Sequence, residues 1–355
     1  MMTSSLLRPF KYLTILSLAG CVLIAYWLQG VWTFLPLAYA FGLVPLIELF
    51  GKPNSDNLSK AEEELVRNDA LYDWMIYLIV PIQFVLLGMG LYLVQTQTLQ
   101  TWEIVGLALG MGILCGTYGI NVGHELGHRT KPHERLLAKL ALLSSLYMHF
   151  YIEHNRGHHK RVSTEADPAS ARYGEWVYAF WFRSVIGGYL SAWELEHKRL
   201  KKKGLPVFSF HNEMIRFQLV QLSLLLLIGI VLGAKALLIF LLSATIGALL
   251  LETVNYIEHY GLQRQEVSQG KYERVQPHHS WNSDHVLGRL LLFELSRHSD
   301  HHFLASRKYQ VLRHHEEAPQ MPTGYPGMML LSLVPPLWFR VMHRQLDHFQ
   351  HQQLA

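Results

Sequence analysis

His124 and His128 bracket Glu125-Leu126-Gly127 in a pentad whose two imidazoles stand one helical turn apart. Positions i and i+4 share a helix face, so both rings can be aimed at one metal ion. The pentad directly follows an uncharged apolar run from Ile104 to Gly123, and Thr117 and Asn121 carry its polar face back along the same helix. A polar stripe on a membrane-length helix is costly unless it faces the protein interior, which marks it as a functional candidate. The pentad also satisfies H-E-x-x-H, where two histidines bind zinc and the Glu is the general base of a peptide hydrolase. Taken alone, it does not choose between an intramembrane zinc protease and another metal chemistry.

Three further clusters follow. Glu153-His154-Asn155-Arg156-Gly157-His158-His159 repeats the i, i+4 pair through His154 and His158. Asn255-Tyr256-Ile257-Glu258-His259-Tyr260-Gly261 closes the last long apolar run, and a continuing helix puts Glu252, Asn255 and His259 on one face. Arg297-His298-Ser299-Asp300-His301-His302 contains both i, i+3 and i, i+4 pairs. A lone helix-end histidine is more often a hydrogen-bonding group than a ligand, and one i, i+4 pair is an even bet. Four clusters in register with one membrane face are hard to read as unrelated surface histidines.

Counting separates the metals. The clusters offer His124, His128, His154, His158, His159, His259, His298, His301 and His302. A catalytic zinc takes three protein ligands, so nine imidazoles suit two metals with four or five ligands each. Donor type alone does not select iron, because imidazole also suits zinc, copper and nickel. A site facing an apolar interior points to an apolar substrate, and oxygen activation there needs a redox metal. Glu125, Glu153, Glu258 and Asp300 adjoin donor positions, with Glu252 and Asn255 nearby on span six. Their expected part is to accept the far ring N–H of ligand imidazoles, with direct ligation by a carboxylate as the alternative. His278, His279 and His285 are expected to support the site, and His314 and His315 to be structural. His133, His149, His197, His211, His343, His348 and His351 are read as surface or interface residues.

The elements that must position these groups are membrane helices. The 355-residue chain is 50% hydrophobic and 16% charged, against about 25% charged in a typical soluble domain. At about 20 residues per span, the uncharged runs predict an all-α, polytopic protein with six transmembrane helices near 12–28, 31–50, 74–95, 102–123, 214–234 and 236–257. Residues 129–212 and 258–355 then lie on one side, as a helical cap. The first of these regions carries fourteen Lys and Arg, whereas the turns on the far side carry only Lys235. The positive-inside rule places both regions in the cytoplasm. The same basic clusters are read as topology and lipid-headgroup determinants rather than as a nucleic-acid site. Leu136 to Tyr151, Trp176 to Trp193 and Met328 to Val341 are too short or too charged to span and are expected to be interfacial or buried helices. Two cysteines, Cys21 and Cys115, exclude a C-x-x-C redox module within the chain. A metal transporter fits less well, because the spans lack paired acids or histidines near their centres.

The order HELGH, EHNRGHH, NYIEHYG, RHSDHH resembles the integral-membrane alkane hydroxylases of the membrane desaturase and hydroxylase superfamily. The resemblance extends to His279-Ser280-Trp281-Asn282-Ser283, to Glu317-Ala318-Pro319-Gln320-Met321-Pro322 and to Pro335-Pro336-Leu337-Trp338-Phe339. NYIEHYG singles out the alkane hydroxylase branch from the acyl desaturases. Departures are Arg129 where Lys is frequent, Ser296 where Gln is common and Phe303 where Ala is common. The resemblance implies one membrane-embedded hydroxylase domain over 1–355, with a histidine-rich di-iron site in its cytoplasmic cap. It implies O2-dependent conversion of medium-chain n-alkanes to 1-alkanols at two non-haem irons held by the nine histidines. Electrons would come from a separate rubredoxin and its reductase, at a bacterial inner membrane, with the site on the cytoplasmic side. Aromatic methyl groups and fatty acyl chains are the alternative substrates. A substrate channel is expected from aromatics and leucines of spans one to three, with Trp27, Trp32, Phe34, Tyr39 and Phe41 as candidates to close it.

Overall fold

The structure, a computed structural model, describes residues 8–354. Six helices are long and apolar enough to cross a membrane: span one Arg8–Leu28, span two Gly30–Phe50, span three Ala70–Thr96, span four Thr101–Gly127, span five Glu213–Val231 and span six Ala234–His259. Spans one and two form the expected hairpin. It turns at Gln29 and Gly30, both with positive φ, and the Gly30 N–H donates to Glu103 Oε1 at 2.8 Å. Spans five and six part at Gly233, whose φ of 91° an L side chain rarely adopts, rather than at Lys235. Span four runs on through Gly127, so the helix bearing the first histidine pair is the membrane helix itself.

Spans four and six pack backbone against backbone. A Cβ on Gly247 would lie 2.5 Å from the Cys115 Cβ and 3.0 Å from the Gly116 nitrogen, and one on Gly112 would strike Ile246. Small residues at such a crossing replace the hydrophobic drive that lipid cannot supply. The crossing fixes His124 and His128 relative to His259.

The regions between and after the spans build the cap. Helices Pro132–Leu143, Phe150–Glu153, Val177–Lys202, Val286–Leu291, His298–Phe303, Tyr325–Ser332 and Pro335–Leu354 compose most of it. Among the described residues, an antiparallel pair, Glu266–Ser268 with Lys271–Tyr272, and a bridge between Asn282 and Gln320 are added to the all-α expectation. Along Val177–Lys202, Tyr178, Phe182, Ile186 and Leu190 recur every fourth residue and are exposed, as on a helix lying at a membrane surface. The Leu136 to Tyr151 stretch is instead largely buried, and the Met328 to Val341 stretch is split between Ser332 and Pro335.

Three helical stretches widen to π turns: Tyr39–Leu43 in span two, Cys115–Asn121 in span four and His154–His158 in the cap. Such turns insert one residue per turn and occur often at functional sites. All three border the site described next.

Candidate metal centre

The nine histidines come together in two groups. His124, His128, His154, His159 and His301 form one, and His158, His259, His298 and His302 the other, with donor atoms in each group within 4.8 Å of one another. In the five-histidine group, Nε2 contacts run from His128 to His154 at 3.1 Å, to His159 at 3.0 Å, to His301 at 3.1 Å and to His124 at 3.0 Å. In the four-histidine group they run from His158 to His302 at 3.2 Å, to His298 at 2.9 Å and to His259 at 3.3 Å.

Chain geometry explains the division. His124 and His128 lie in ordinary helix, and the i, i+4 pair serves one group as expected. His154 and His158 do not. In a π turn the repeat is i, i+5, so His154 shares its face with His159 while His158 turns to the other group. In the last motif His298 and His302 keep the i, i+4 face, and His301 points across to the five-histidine group.

These residues fit metal ions. Donors about 2.1 Å from a shared ion stand about 3 Å from one another, which is the observed nitrogen spacing. Burial, with Arg129 beside it, pushes His128 down to about 3. Burial first, and neighbouring imidazoles second, likewise lower His154, His159, His298, His301 and His302. These rings are therefore neutral at pH 7, with lone pairs free for a cation.

His158 is the exception. Burial is the largest effect and lowers it, but the Asp167, Glu153 and Glu252 carboxylates together raise it. His158 Nδ1–H donates to Asp167 Oδ2 at 2.8 Å, and Ser170 Oγ–H donates to the same oxygen at 2.6 Å. This bond leaves Nε2 as the donor toward the group. Sequence reasoning missed Asp167, which lies nine residues from its histidine in a non-helical loop; no helical spacing signals it. Replacing Asp167 with Asn is expected to weaken metal binding by about 10–100-fold, read as faster loss of bound metal to a chelator. An unchanged release rate would show that the bond does not orient the ring.

The carboxylates picked from sequence are placed differently from expectation. Glu125 accepts from Arg129 at 2.7 and 3.1 Å and from the Tyr309 N–H at 3.2 Å. Glu153 accepts from Arg161 at 2.7 Å, and Asp300 from Arg307 at 2.6 Å and from His315 at 2.7 Å. Glu252 accepts from Tyr147 at 2.8 Å and from Ser184, with the Asn255 side chain 3.3 Å away. Among the described residues none of these five hydrogen-bonds one of the nine imidazoles, because arginines, hydroxyls and backbone N–H groups reach them first. Glu258 alone approaches the donors, with Oε2 3.1 Å from His298 Nε2.

The remaining histidines fall outside both groups. Glu273, His278 and His279 lie close enough to suggest a third metal set. His279 Nδ1, however, accepts from the Gln276 N–H at 2.9 Å, so Nε2 carries the proton and faces Glu273 at 3.2 Å. That is a hydrogen-bonded pair, not a ligand set. His314 bonds Asp284, and His149, expected at a surface or interface, is buried beside Tyr147 and Tyr189 because the cap folds back over it.

An apolar cleft of about 90 Å³ lies in the bundle, lined by Ile15, Leu18, Tyr39, Phe41, Val44, Ile113, Thr117, Asn121, Leu251, Val254, Leu292, Leu295 and Met329 among others, with none of the nine histidines in its walls. Asn121 lies one turn before the first motif, Val254 one turn before Glu258 and Leu295 three residues before His298. Spans one and two contribute as expected. Span three does not, and spans four and six replace it. Trp27 and Trp32 are exposed, and Phe34 stacks on Trp102, so of the five expected aromatics only Tyr39 and Phe41 reach the cleft.

Nine convergent imidazoles at the end of a six-helix apolar bundle define a helical membrane protein with a candidate metal centre. Residues 100–332 match the fatty acid desaturase family. The chain is 40% identical to alkane 1-monooxygenase of Pseudomonas putida over 93% of its length and 83% of that relative. It is also 40% identical to alkane 1-monooxygenase 1 of Alcanivorax borkumensis, over 90% and 79% of the two chains. The hydroxylase component of the Pseudomonas putida xylene/toluene monooxygenase is 27% identical over 94% of this chain and 87% of its own. The chain belongs to the fatty acid desaturase family, and within it to the alkane 1-monooxygenases.

Proposed function

We propose that this protein hydroxylates the terminal carbon of medium-chain n-alkanes, using O2 at a di-iron centre held by the nine histidines. The observation that carries the proposal is the pair of imidazole groups beside an apolar cleft whose walls include Asn121 and Val254, one turn before His124 and Glu258. Iron bound there would supply O2 activation: one oxygen atom enters the C–H bond, and the other leaves as water after taking up two electrons and two protons. The chain's own residues do the rest. An alkane offers no polar handle, so the cleft walls hold it by apolar burial, about 0.8 kcal/mol per CH2. The same walls exclude water from the reacting carbon. Asp167 keeps the His158 proton on Nδ1, and the Arg129–Glu125 pair anchors the helix end that carries His128.

Electrons are proposed to come from rubredoxin, a separate chain fed by its reductase. The five-histidine group nears the surface through His128 and His159, both half-buried, with exposed Lys131 and Lys160 beside them. That basic rim suits an acidic carrier arriving by electrostatic steering. The Lys and Arg bias supports a cytoplasmic orientation of this face, and a bacterial inner membrane is proposed with it. The test is metal analysis combined with product analysis from octane, xylene and a fatty acyl substrate. About two irons per chain and 1-octanol from octane are expected. One zinc per chain without iron overturns the proposal, and product from xylene alone moves the substrate class to aromatic methyl groups.

A further inference from the structure

We infer that the Glu258 carboxylate is a metal ligand of the four-histidine group, which is one donor short of its neighbour. The inference rests on the two-metal centre proposed above. Glu258 lies in the last turn of span six, next to His259, and its backbone carbonyl accepts from the Trp281 N–H at 2.8 Å. Its Oε2 stands 3.1 Å from His298 Nε2. That same nitrogen faces His302 Nε2 at 2.9 Å and His259 Nε2 at 3.3 Å. A carboxylate oxygen therefore stands from His298 at the spacing that the donors keep from one another.

The surroundings give the carboxylate no other occupation. Glu258 is 1% exposed, and its Oε1 has no hydrogen-bond partner. Glu125, Glu153 and Asp300 are each paired with an arginine. Among the described residues Glu258 has no Lys or Arg partner. A buried carboxylate without a cation is strongly disfavoured, and removing both oxygens from water is tolerated when they coordinate a metal. The Tyr325 hydroxyl is also buried without a hydrogen-bond partner. A simple hydrogen bond from His298 would require its Nε2 proton to point at Glu258. His298 would then present no lone pair to its group, since its Nδ1 is buried without a partner. Ligation uses both groups at once. A carboxylate among imidazoles is also a donor set that iron accepts.

The full-length chain, stripped of metal and titrated with cobalt(II), tests this. Wild type is expected to show two sites. Glu258→Gln is expected to keep the five-histidine site and to release metal from the other about 100-fold faster, with an altered cobalt absorption spectrum. Tyr325→Phe is expected to keep both sites. Two equally tight sites with unchanged spectra in Glu258→Gln would overturn the assignment. Equal weakening of both sites would overturn it too, since a ligand of one group spares the other. A wild-type chain with a single site would instead overturn the two-metal centre itself.

Discussion

Replacing His259 with Ala is expected to abolish alcohol formation from octane and to empty the four-histidine site. His259 is fully buried and is the only histidine of the nine contributed by span six. Its loss leaves three imidazoles where four converge. Metal retained by the five-histidine group would show that the bundle still folds. His278→Ala is the matched control: this residue lies outside both groups, so hydroxylation should persist. Octanol production by the His259 variant at wild-type rate would remove span six from the centre.

Arg129→Met is expected to be the most destabilising single substitution near the site, by about 3 kcal/mol or more, because breaking a buried ion pair strands its partner. The Arg129 side chain is 6% exposed and bonds Glu125 at 2.7 Å and Asp73 at 3.0 Å. Asp73 keeps Lys308 at 2.8 Å, but Glu125 loses its only ion-pair partner among the described residues. The consequence should appear as a lowered thermal unfolding midpoint in detergent, along with loss of metal from His128. Arg129→Lys should recover part of the loss, since it restores charge without the two-pronged geometry. An unchanged midpoint in the Met variant would mean the network contributes little.

Much of this was legible before any coordinates. Hydropathy located all six spans, because the bilayer sets their length and leaves little room for charge. The nine histidines were legible as two sets of four or five, because imidazole count limits the number of metals. What was not legible depends on backbone detail. The pairing of His154 with His159 needed the π turn, which no local propensity announces. Asp167 reaches His158 from a loop, where no helical repeat relates the two. Glu125, Glu153 and Asp300 pair with arginines instead of ligand imidazoles, because adjacency in sequence says nothing about which arginine arrives from elsewhere. Asp73 and Arg129 meet across 56 residues. The cleft's use of spans four and six in place of span three likewise followed from the Gly112, Gly116 and Gly247 crossing, a three-dimensional fact carried by three small residues.

The widened turn at His154–His158 bears on how relatives of this chain are compared. The longer repeat there is what puts His154 beside His159 and turns His158 to the other group. A homologue lacking a single residue between His154 and His159 would still align all nine histidines, with one gap. It would score as complete, yet the shortened stretch would turn one imidazole away from its partners. Spacing within that motif is thus inherited information in its own right, and an inventory of matching letters does not measure it.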